Sequence, residues 1–298
     1  MATTILVTGA TGRLGQRVVS RLLQKQAEVR VLTRRREDAL KLWGDRVEIA
    51  EGNFSDPASL KEAARGIDRV FLLSPIGETL AVDQKTVIDA ALSTRVSRIV
   101  KISGSDWTIK NAGRSISGAA HAEVERHLAA SGIAHTVLRP NAWMQVALEP
   151  VVAALRKGDD VPARFGNAAV SFIDADDIAD VAVHALTSSA PVSSTFVLTG
   201  GEALTALEIA RIAARILHRP VGVSHNAASV FPPHIGAFEE KAISEFGQLI
   251  GDGFAAPVTD TIQQISGRQP RSVEGYLRAR LKAATPQGDH SEGEKTWH

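Results

Sequence analysis

The chain has 298 residues, 44% of them hydrophobic, and carries 34 lysines and arginines against 33 aspartates and glutamates. A net charge of +1 gives no electrostatic basis for binding nucleic acid or an anionic membrane, because phosphate-binding surfaces are usually strongly basic. The absence of cysteine excludes disulfides, thiolate metal sites and cysteine nucleophiles.

The N-terminal residues lead into a strand pattern by Thr4, without the basic and apolar regions of a signal peptide. No apolar run reaches the ~18 residues that a transmembrane helix requires. The sequence therefore predicts a cytoplasmic protein without a membrane segment.

A glycine-rich loop follows this first strand, and a helical pattern follows the loop. Gly9, Gly12 and Gly15 have the spacing G-x-x-G-x-x-G. Such glycines permit a tight turn, let the backbone approach a pyrophosphate and let the helix pack close to the sheet. The helix amides then face the anion. The loop predicts a dinucleotide site, although a glycine turn without a ligand stays open as the alternative. The other loop residues assigned to the site are Thr11, Arg13 and Leu14.

The first half of the chain alternates short β-branched runs with amphipathic segments, a pattern typical of a parallel sheet covered by helices. We predict a doubly wound α/β fold of the Rossmann type. The apolar stripe of the first helix, which includes Leu14, Val18 and Leu22, is expected to face the sheet. The predicted strands are residues 5–8, 29–33, 47–50, 70–73, 99–103 and 136–139.

The end of the second strand indicates which dinucleotide is bound. NAD sites usually place a carboxylate there, whereas this chain has Arg34, Arg35 and Arg36. Guanidinium groups suit a 2′-phosphate, so the sequence favours NADPH. The alternative is a solvated helix start whose arginines are balanced by Glu37 and Asp38.

The ends of the next two strands complete the predicted cofactor channel. Asn53 and Phe54 follow the third strand, where the adenine is expected. Leu73, Ser74 and Pro75 follow the fourth strand and are expected to line the channel.

The Tyr-x-x-x-Lys pair of the common short-chain dehydrogenases is missing. Tyr276 is the sole tyrosine and has no lysine four residues later. The segment "HAEVERHLAASGIAHTVLRPNAWM", residues 121–144, instead resembles the NmrA-like atypical reductases, and with the glycine loop this resemblance extends over about residues 1–220. That family includes NADPH-dependent reductases of quinones, azo dyes and triphenylmethane dyes, the isoflavone and lignan reductases, and redox-sensing regulators.

The resemblance implies several residue roles. It places His121 beside the nicotinamide, as a proton donor or as a bystander. It places a hydroxyl near the substrate, supplied by Ser103 or Ser105, and puts Asn141 in a wall of the cofactor site. Pro140 departs from the family pattern, in which Asn often follows Arg directly.

The segment 104–117 has the length and composition of a lid over a cofactor. Trp107, Trp143 and Met144 are predicted to offer polarizable surface to an aromatic substrate, while a core role for Trp143 stays open. Lys101 lies on the same strand as Ser103, and its role is left open.

Capping signals mark three later helices. Asp56 precedes Pro57, and Thr205 forms a capping box with Glu208. The cluster around Asp174 is interpreted as an N-cap with Asp177 at N3, rather than as a metal site, and no metal is predicted.

Strand and helix alternation stops near residue 220, and helical patterns cover 238–250 and 273–282. We predict a dinucleotide-binding domain at 1–220, a helical substrate lobe at 221–283 and a flexible tail at 284–298. The apolar face of the lobe leaves a homodimer open.

Together these features predict an NADPH-dependent reductase that transfers hydride to an electron-poor conjugated or aromatic small molecule. An NADP(H)-sensing regulator with little turnover is the alternative. Neither nucleic acid nor a membrane is an expected partner.

Overall fold

Seven parallel strands form one sheet in the computed structural model, which describes residues 3–189, 193–225 and 236–282. The strand order is β3-β2-β1-β4-β5-β6-β8. Since the order reverses between β1 and β4, a crevice opens there at the carboxyl ends of the strands. The strands are β1 Thr4–Val7, β2 Glu28–Thr33, β3 Glu48–Glu51, β4 Arg69–Leu72, β5 Arg98–Ile102, β6 Ala134–Pro140 and β8 Ser194–Leu198.

The six strands predicted from the sequence are confirmed, each within two residues at either end, and the doubly wound fold with them. Strand β8 was missed. It pairs with β6 at the edge of the sheet, after an insertion that separates the two strands by more than fifty residues. The insertion and the segment before residue 225 contribute a separate two-stranded pair, β7 Val161–Pro162 and β9 Val223–Ser224.

Helices cover both faces of the sheet and its carboxyl edge. They are α1 Arg13–Gln24, α2 Arg36–Trp43, α3 Pro57–Ala63, α4 Leu80–Ser93, α5 Asp106–Lys110, α6 Ile116–Ala130, α7 Met144–Ala147, α8 Glu149–Lys157, α9 Ala175–Thr187, α10 Ala206–Leu217, α11 Ala237–Gly251, α12 Thr261–Ser266 and α13 Val273–Lys282. Within the described ranges, no helix combines the length and the apolar character needed to cross a membrane.

Alternation along the strands gives the sheet two apolar faces. Ile5 and Val7 pack with α1, α2, α9 and α12 on what we call the α1 face, while Leu6 packs with α3, α4 and α6 on the α6 face. The stripe of α1 is buried as predicted, with Leu14 and Val18 at 1% and 0% exposure. Burying each such side chain contributes about 1.5–3 kcal/mol.

The capping signals fix the helix starts as the sequence predicted. Asp56 accepts hydrogen bonds from the amides of Ala58 and Ser59, and Thr205 and Glu208 form the expected capping box. Asp174 caps α9 through the amide of Asp176. In the described part of the chain, no group of three or more His, Asp or Glu side chains is placed to hold a metal ion.

The segment 104–117, for which the sequence predicts a lid over the cofactor, is largely helical. It forms α5 and a short 3-10 turn at 112–114, both packed against α6. The contact is close, because a Cβ at Gly118 would lie 2.2 Å from the Thr108 carbonyl oxygen. The Trp107 ring is buried against Phe246 of α11, with 4.6 Å between ring centroids.

A third apolar cluster joins chain segments on both sides of residue 220. Its members include Val151 and Ile209 before that point and Leu249 and Leu277 after it. Helix α13 packs on α8 and α10, α11 packs on α5 and α6, and α12 packs on α9 and β8. The tail predicted at 284–298 lies outside the described residues.

A buried ion pair attaches the segment before α13 to α9. The carboxylate of Asp177 is fully buried and accepts a hydrogen bond from the Arg271 amide at 2.8 Å. It also pairs with the Arg271 guanidinium and with that of Arg268 at 2.7 Å. At position N3 of α9, Asp177 therefore binds the two arginines that precede α13.

Replacing Asp177 with asparagine should lower the free energy of unfolding by about 3 kcal/mol, because the arginines lose a buried counter-charge. Urea denaturation measures the change. The control is Glu62→Gln, which removes an exposed pair with Arg65 and should cost less than about 1 kcal/mol. Equal losses in both variants would show that the Asp177 contact adds no more than a surface pair.

Candidate active site

The crevice between β1 and β4 is held by a side-chain bond across the two strand ends. Thr8 is fully buried. Its hydroxyl donates to the Leu73 carbonyl oxygen at 2.8 Å and accepts from the Leu73 amide at 2.9 Å. This reciprocal pair fixes the spacing of the strand ends that flank the crevice.

The glycine loop approaches this strand end so closely that side chains are excluded. Gly9 has a φ of +60°, and a Cβ there would lie 2.9 Å from the Leu73 carbonyl oxygen. A Cβ at Gly15 would lie 2.1 Å from the Gly9 carbonyl oxygen, so α1 can pack against the loop only with glycine at that position. Both predicted structural roles of the glycines are confirmed.

The first turn of α1 offers its amides to a ligand. The helix is preceded by Gly12, and no side chain caps it. The amides of Arg13, Leu14 and Gly15 precede the first intrahelical bond, which runs from Gln16 to the Gly12 carbonyl oxygen. Gly12 and Arg13 are exposed, so these groups fit a dinucleotide pyrophosphate.

Two further loop residues make contacts of their own. The Thr11 carbonyl oxygen accepts a hydrogen bond from Gln16 Nε2 at 2.7 Å, which braces the loop against α1. The Arg13 guanidinium donates to the Gln145 carbonyl oxygen at 2.7 Å and thereby connects the loop to the segment after β6.

The arginines after β2 lie in solvent at the end of that strand. Arg34 is exposed, and Arg35 is 80% exposed while its guanidinium pairs with Asp38. The pair with Asp38 is what the alternative interpretation, a solvated helix start with balanced charges, expects for Arg35. The assignment of both arginines to a phosphate stays a prediction.

The residues expected around the rest of the cofactor lie at the ends of β3 and β4. The Asn53 side chain accepts from the Ser55 amide at 3.1 Å, and Phe54 packs against the α6-face cluster. The Ser74 hydroxyl accepts from Gln84 Nε2 at 2.9 Å, and Pro75 is exposed. No sequence pattern predicted this role for Gln84, which is buried on α4.

A polar group is buried at the carboxyl end of β5, one strand away from the crevice. Lys101 is fully buried on the α6 face. Its ammonium nitrogen lies 2.9 Å from Ser103 Oγ, 3.2 Å from the Ile102 carbonyl oxygen and 3.1 Å from His121 Nδ1. The structure thus brings together His121 and Ser103, the two residues predicted for catalysis, around a lysine.

A carboxylate extends this group by one helical turn. Glu125 follows His121 by four residues on α6, and its carboxylate accepts from the Ser103 hydroxyl at 2.6 Å. Arg139 of β6 forms an ion pair with Glu125 and a second one with Asp106 at 2.8 Å. The charges of this network therefore alternate in sign from lysine to aspartate.

Burial sets the protonation of the two basic groups. It lowers the pKa of Lys101 to about 7; the Glu125 carboxylate opposes this shift, and Arg139 adds to it. The pKa of His121 is lowered well below its usual value, first by burial and then by the Lys101 charge. His121 is therefore a neutral imidazole at pH 7, able to donate one N–H bond.

The Asn141 side chain is engaged within the protein. Its amide donates to Ser171 Oγ at 2.6 Å and to the Ala255 carbonyl oxygen at 2.8 Å. Its oxygen accepts from the Trp107 indole and from the Ala142 amide, both at 2.8 Å. These bonds use both amide hydrogens, so none is left to donate to a cofactor in this arrangement.

The three residues predicted for the substrate lie in apolar surroundings. Trp107 and Met144 are buried, at 7% and 1% exposure, within the third cluster. Trp143 is partly buried and packs against the α1-face cluster. Trp107 also lines a cavity of about 370 Å³ that includes Arg139 and Phe254. Their roles toward a substrate stay predictions.

Sequence reasoning missed Glu125 and the part played by Lys101. The i, i+4 spacing in "HAEVE" was the available signal for Glu125, because it puts both side chains on one side of a helix. Strand alternation already placed Lys101 and Ser103 on one face. Only the packing of α6 on β5 shows that His121 meets them there.

The chain is similar to known proteins along nearly its whole length. The model of the NmrA-like family matches residues 1–277. A (4-alkanoyl-5-oxo-2,5-dihydrofuran-3-yl)methyl phosphate reductase of Streptomyces griseus is 32% identical, covering 95% of this chain and all of that protein. An NAD(P)H azoreductase of Xenophilus azovorans is 30% identical, covering 94% of this chain and 98% of its own length. The Citrobacter triphenylmethane reductase structure, complexed with NADP(H), has a TM-score of 0.81 at 21% identity, covering 95% of this chain and 100% of that one.

The stability of the Lys101→Met variant relative to wild type should be more favourable at pH 6 than at pH 9. The lysine pKa is about 7 when folded and near 10.5 when unfolded. Below pH 7 the full cost of a buried charge is present. Between the two values the unfolded chain binds more protons, so wild-type stability recovers by about 1.4 kcal/mol for each pH unit.

The measurement is the free energy of unfolding of wild type and variant from pH 6 to 9. Lys85→Met, which removes a lysine that pairs with Glu123 near the surface, is the control and should show no comparable slope. A constant difference between Lys101→Met and wild type across this range would contradict the prediction.

Proposed function

The chain belongs to the NmrA-like family, and from that membership we propose that it is an NADPH-dependent reductase of electron-poor conjugated or aromatic acceptors. The observation that carries the proposal is the juxtaposition at the carboxyl edge of the sheet. There a glycine loop suited to a pyrophosphate follows β1, and the buried group of Lys101, Ser103 and His121 lies at the end of β5, with β4 between the two strands. One part binds a dinucleotide, and the other holds a proton.

NADPH, when bound, supplies a hydride from its nicotinamide ring. The residues of this chain bind and orient it. The amides of Arg13 to Gly15 would hold the pyrophosphate, Arg34 and Arg35 would select the 2′-phosphate, and the segment from Leu73 to Pro75 would lie along the channel. Holding the cofactor in one orientation against an acceptor supplies a large part of the acceleration.

The class of acceptor follows from the relatives and from the missing tyrosine. An azo compound and an unsaturated dihydrofuranone are both electron-poor conjugated systems, and both appear in the names of relatives that match along nearly the whole chain. Tyr276 does not compensate for the missing Tyr-x-x-x-Lys pair. It is buried on α13, and its hydroxyl donates to Glu149 at 2.6 Å, which with burial raises its pKa.

The proton that follows the hydride comes from His121 or from water. A neutral imidazole with one N–H bond is a sufficient donor to an acceptor that has just gained negative charge. Electron-poor acceptors need less help from a strong acid than a simple ketone does. The neutral state of His121 is therefore compatible with the proposed chemistry.

Turnover is tested by mixing purified protein and NADPH with a panel of quinones, azo dyes and unsaturated lactones while NADPH absorbance is followed. We expect turnover with at least one class. His121→Gln should slow acceptors that require protonation by about 10²-fold or more and leave the others nearly unchanged. NADPH binding with no turnover in the panel would overturn the reductase and favour the sensing regulator.

Cofactor choice is tested by calorimetry on Arg34→Ala/Arg35→Ala. Removing both guanidinium groups should weaken NADPH binding by about 10- to 100-fold, since each charge-assisted bond is worth about 1.5–3 kcal/mol, part of which the exposed site loses to solvent. NADH binding should not change. Lys61→Ala/Arg65→Ala removes the same charge on and after α3 and serves as control. A wild-type preference for NADH would contradict the assignment of the arginines.

A further inference from the structure

Resting on the proposed function, we propose that Lys101 is a positioning residue for the reduction. Its ammonium donates to Nδ1 of His121, holds the ring hydrogen on Nε2, and replaces the proton that the ring gives to the reduced acceptor. The family resemblance assigns no role to this lysine. The proposal depends on the buried contacts of β5 with α6.

The surroundings of the Lys101 nitrogen match an ammonium. Such a group has three N–H donors and no acceptor. Three acceptors lie within 3.2 Å, namely Ser103 Oγ, the Ile102 carbonyl oxygen and His121 Nδ1. The Ser103 hydroxyl points its own hydrogen at Glu125, so its lone pairs are free to accept from the lysine. All three N–H bonds of the lysine therefore have a partner.

This contact decides the orientation of the ring. When Nδ1 of a neutral imidazole accepts a hydrogen bond, its single hydrogen is on Nε2. Within the described residues, Nε2 of His121 has no hydrogen-bond partner, whereas Nδ1 has Lys101. Gly104, at the end of β5, leaves room for the ring, since a Cβ there would lie 3.0 Å from His121 Cδ2. The ring thus keeps one N–H bond available for a ligand.

The charged groups facing Lys101 come from α6 and β6. The Ser103 hydroxyl bridges Lys101 and the Glu125 carboxylate, which acts as the counter-ion of the lysine. Arg139 of β6 forms an ion pair with the same carboxylate. On β4 the residue in register is Leu72, which is apolar. The charged side chains of α4 have partners toward its surface: Asp83 with Thr79, Lys85 with Glu123, and Asp89 with His127.

The proton transfer balances without another reactant. After hydride arrives, the acceptor carries a negative charge. The Nε2–H bond breaks, and a new O–H or N–H bond forms on the acceptor. Nδ1 of His121 takes a proton from the Lys101 ammonium, so the ring stays neutral and the lysine becomes an amine. To restore the starting state, Nε2 takes a proton from water and Nδ1 returns its proton to the Lys101 amine. The acceptor has then gained one hydride and one proton.

The pKa of Lys101 suits this role, because a group with a pKa of about 7 gives up a proton readily near neutral pH. Turnover that needs the protonated lysine should fall as the pH rises through about 7. A purely structural lysine would not impose that dependence on the rate.

The ring hydrogen is observed directly in long-range ¹H–¹⁵N spectra of the full chain labelled on histidine. His121→Gln identifies the His121 signals by their loss. We expect Nε2–H in wild type at pH 6, a mixed or reversed state in Lys101→Met, and no change in Lys85→Met. Hydrogen on Nδ1 in wild type would overturn the proposal. Because this measurement uses the wild-type protein, it does not depend on the folding of a Lys101 variant.

Kinetics supplies the second test. With an acceptor that requires protonation, Lys101→Met should lower kcat by about 10- to 100-fold and abolish the decline above pH 7, while the Kd for NADPH stays unchanged. An unaltered pH profile would overturn the inference. If no acceptor is reduced, the proposed function fails, but the spectra still decide whether Lys101 sets the ring hydrogen.

Discussion

The close approach of α1 to the backbone of the glycine loop is the constraint on which the site depends. Gly15 packs where any Cβ would meet the Gly9 carbonyl oxygen, and Gly9 in turn fits against Leu73. The start of α1 is thereby placed over the ends of β1 and β4, with its first amides uncapped and exposed to the crevice. Helix position and ligand site are consequences of the same contact.

A second group depends on a different kind of packing. A buried lysine has to find its acceptors within the fold, because an unpaired charge in the interior is very costly. Ser103 and His121 are the side-chain acceptors for Lys101. The negative charge of Glu125 compensates the lysine, and Arg139 pairs with Glu125. Breaking any one contact would leave another buried group without a partner, so the network is specified as a unit.

These two parts lie at the carboxyl ends of β1 and β5, which are separated in the sheet by β4. In the proposed reaction, the loop after β1 would position the hydride donor and the group at the end of β5 would hold the proton. Helix α11 spans the same edge. Its Glu239 approaches the loop after β4 at Gly77, and its Glu245 accepts from the Ile116 amide at the start of α6. Helix α11 thus lies beside the loop after β4 and the start of α6 at the carboxyl edge of the sheet.

The sequence by itself determined the sheet, the glycine loop and the helix caps, because each depends on residues adjacent in the chain. Periodicity located six strands, and Asp56, Thr205 and Asp174 marked helix starts. Strand β8 was missed because a long insertion interrupts the alternation before it. Only the tertiary structure decided that Lys101 contacts His121. It also decided that the side-chain amide of Asn141 donates its hydrogen bonds to Ser171 and Ala255. Those contacts join residues 20 to 114 positions apart, and no local pattern encodes which buried polar groups will satisfy one another.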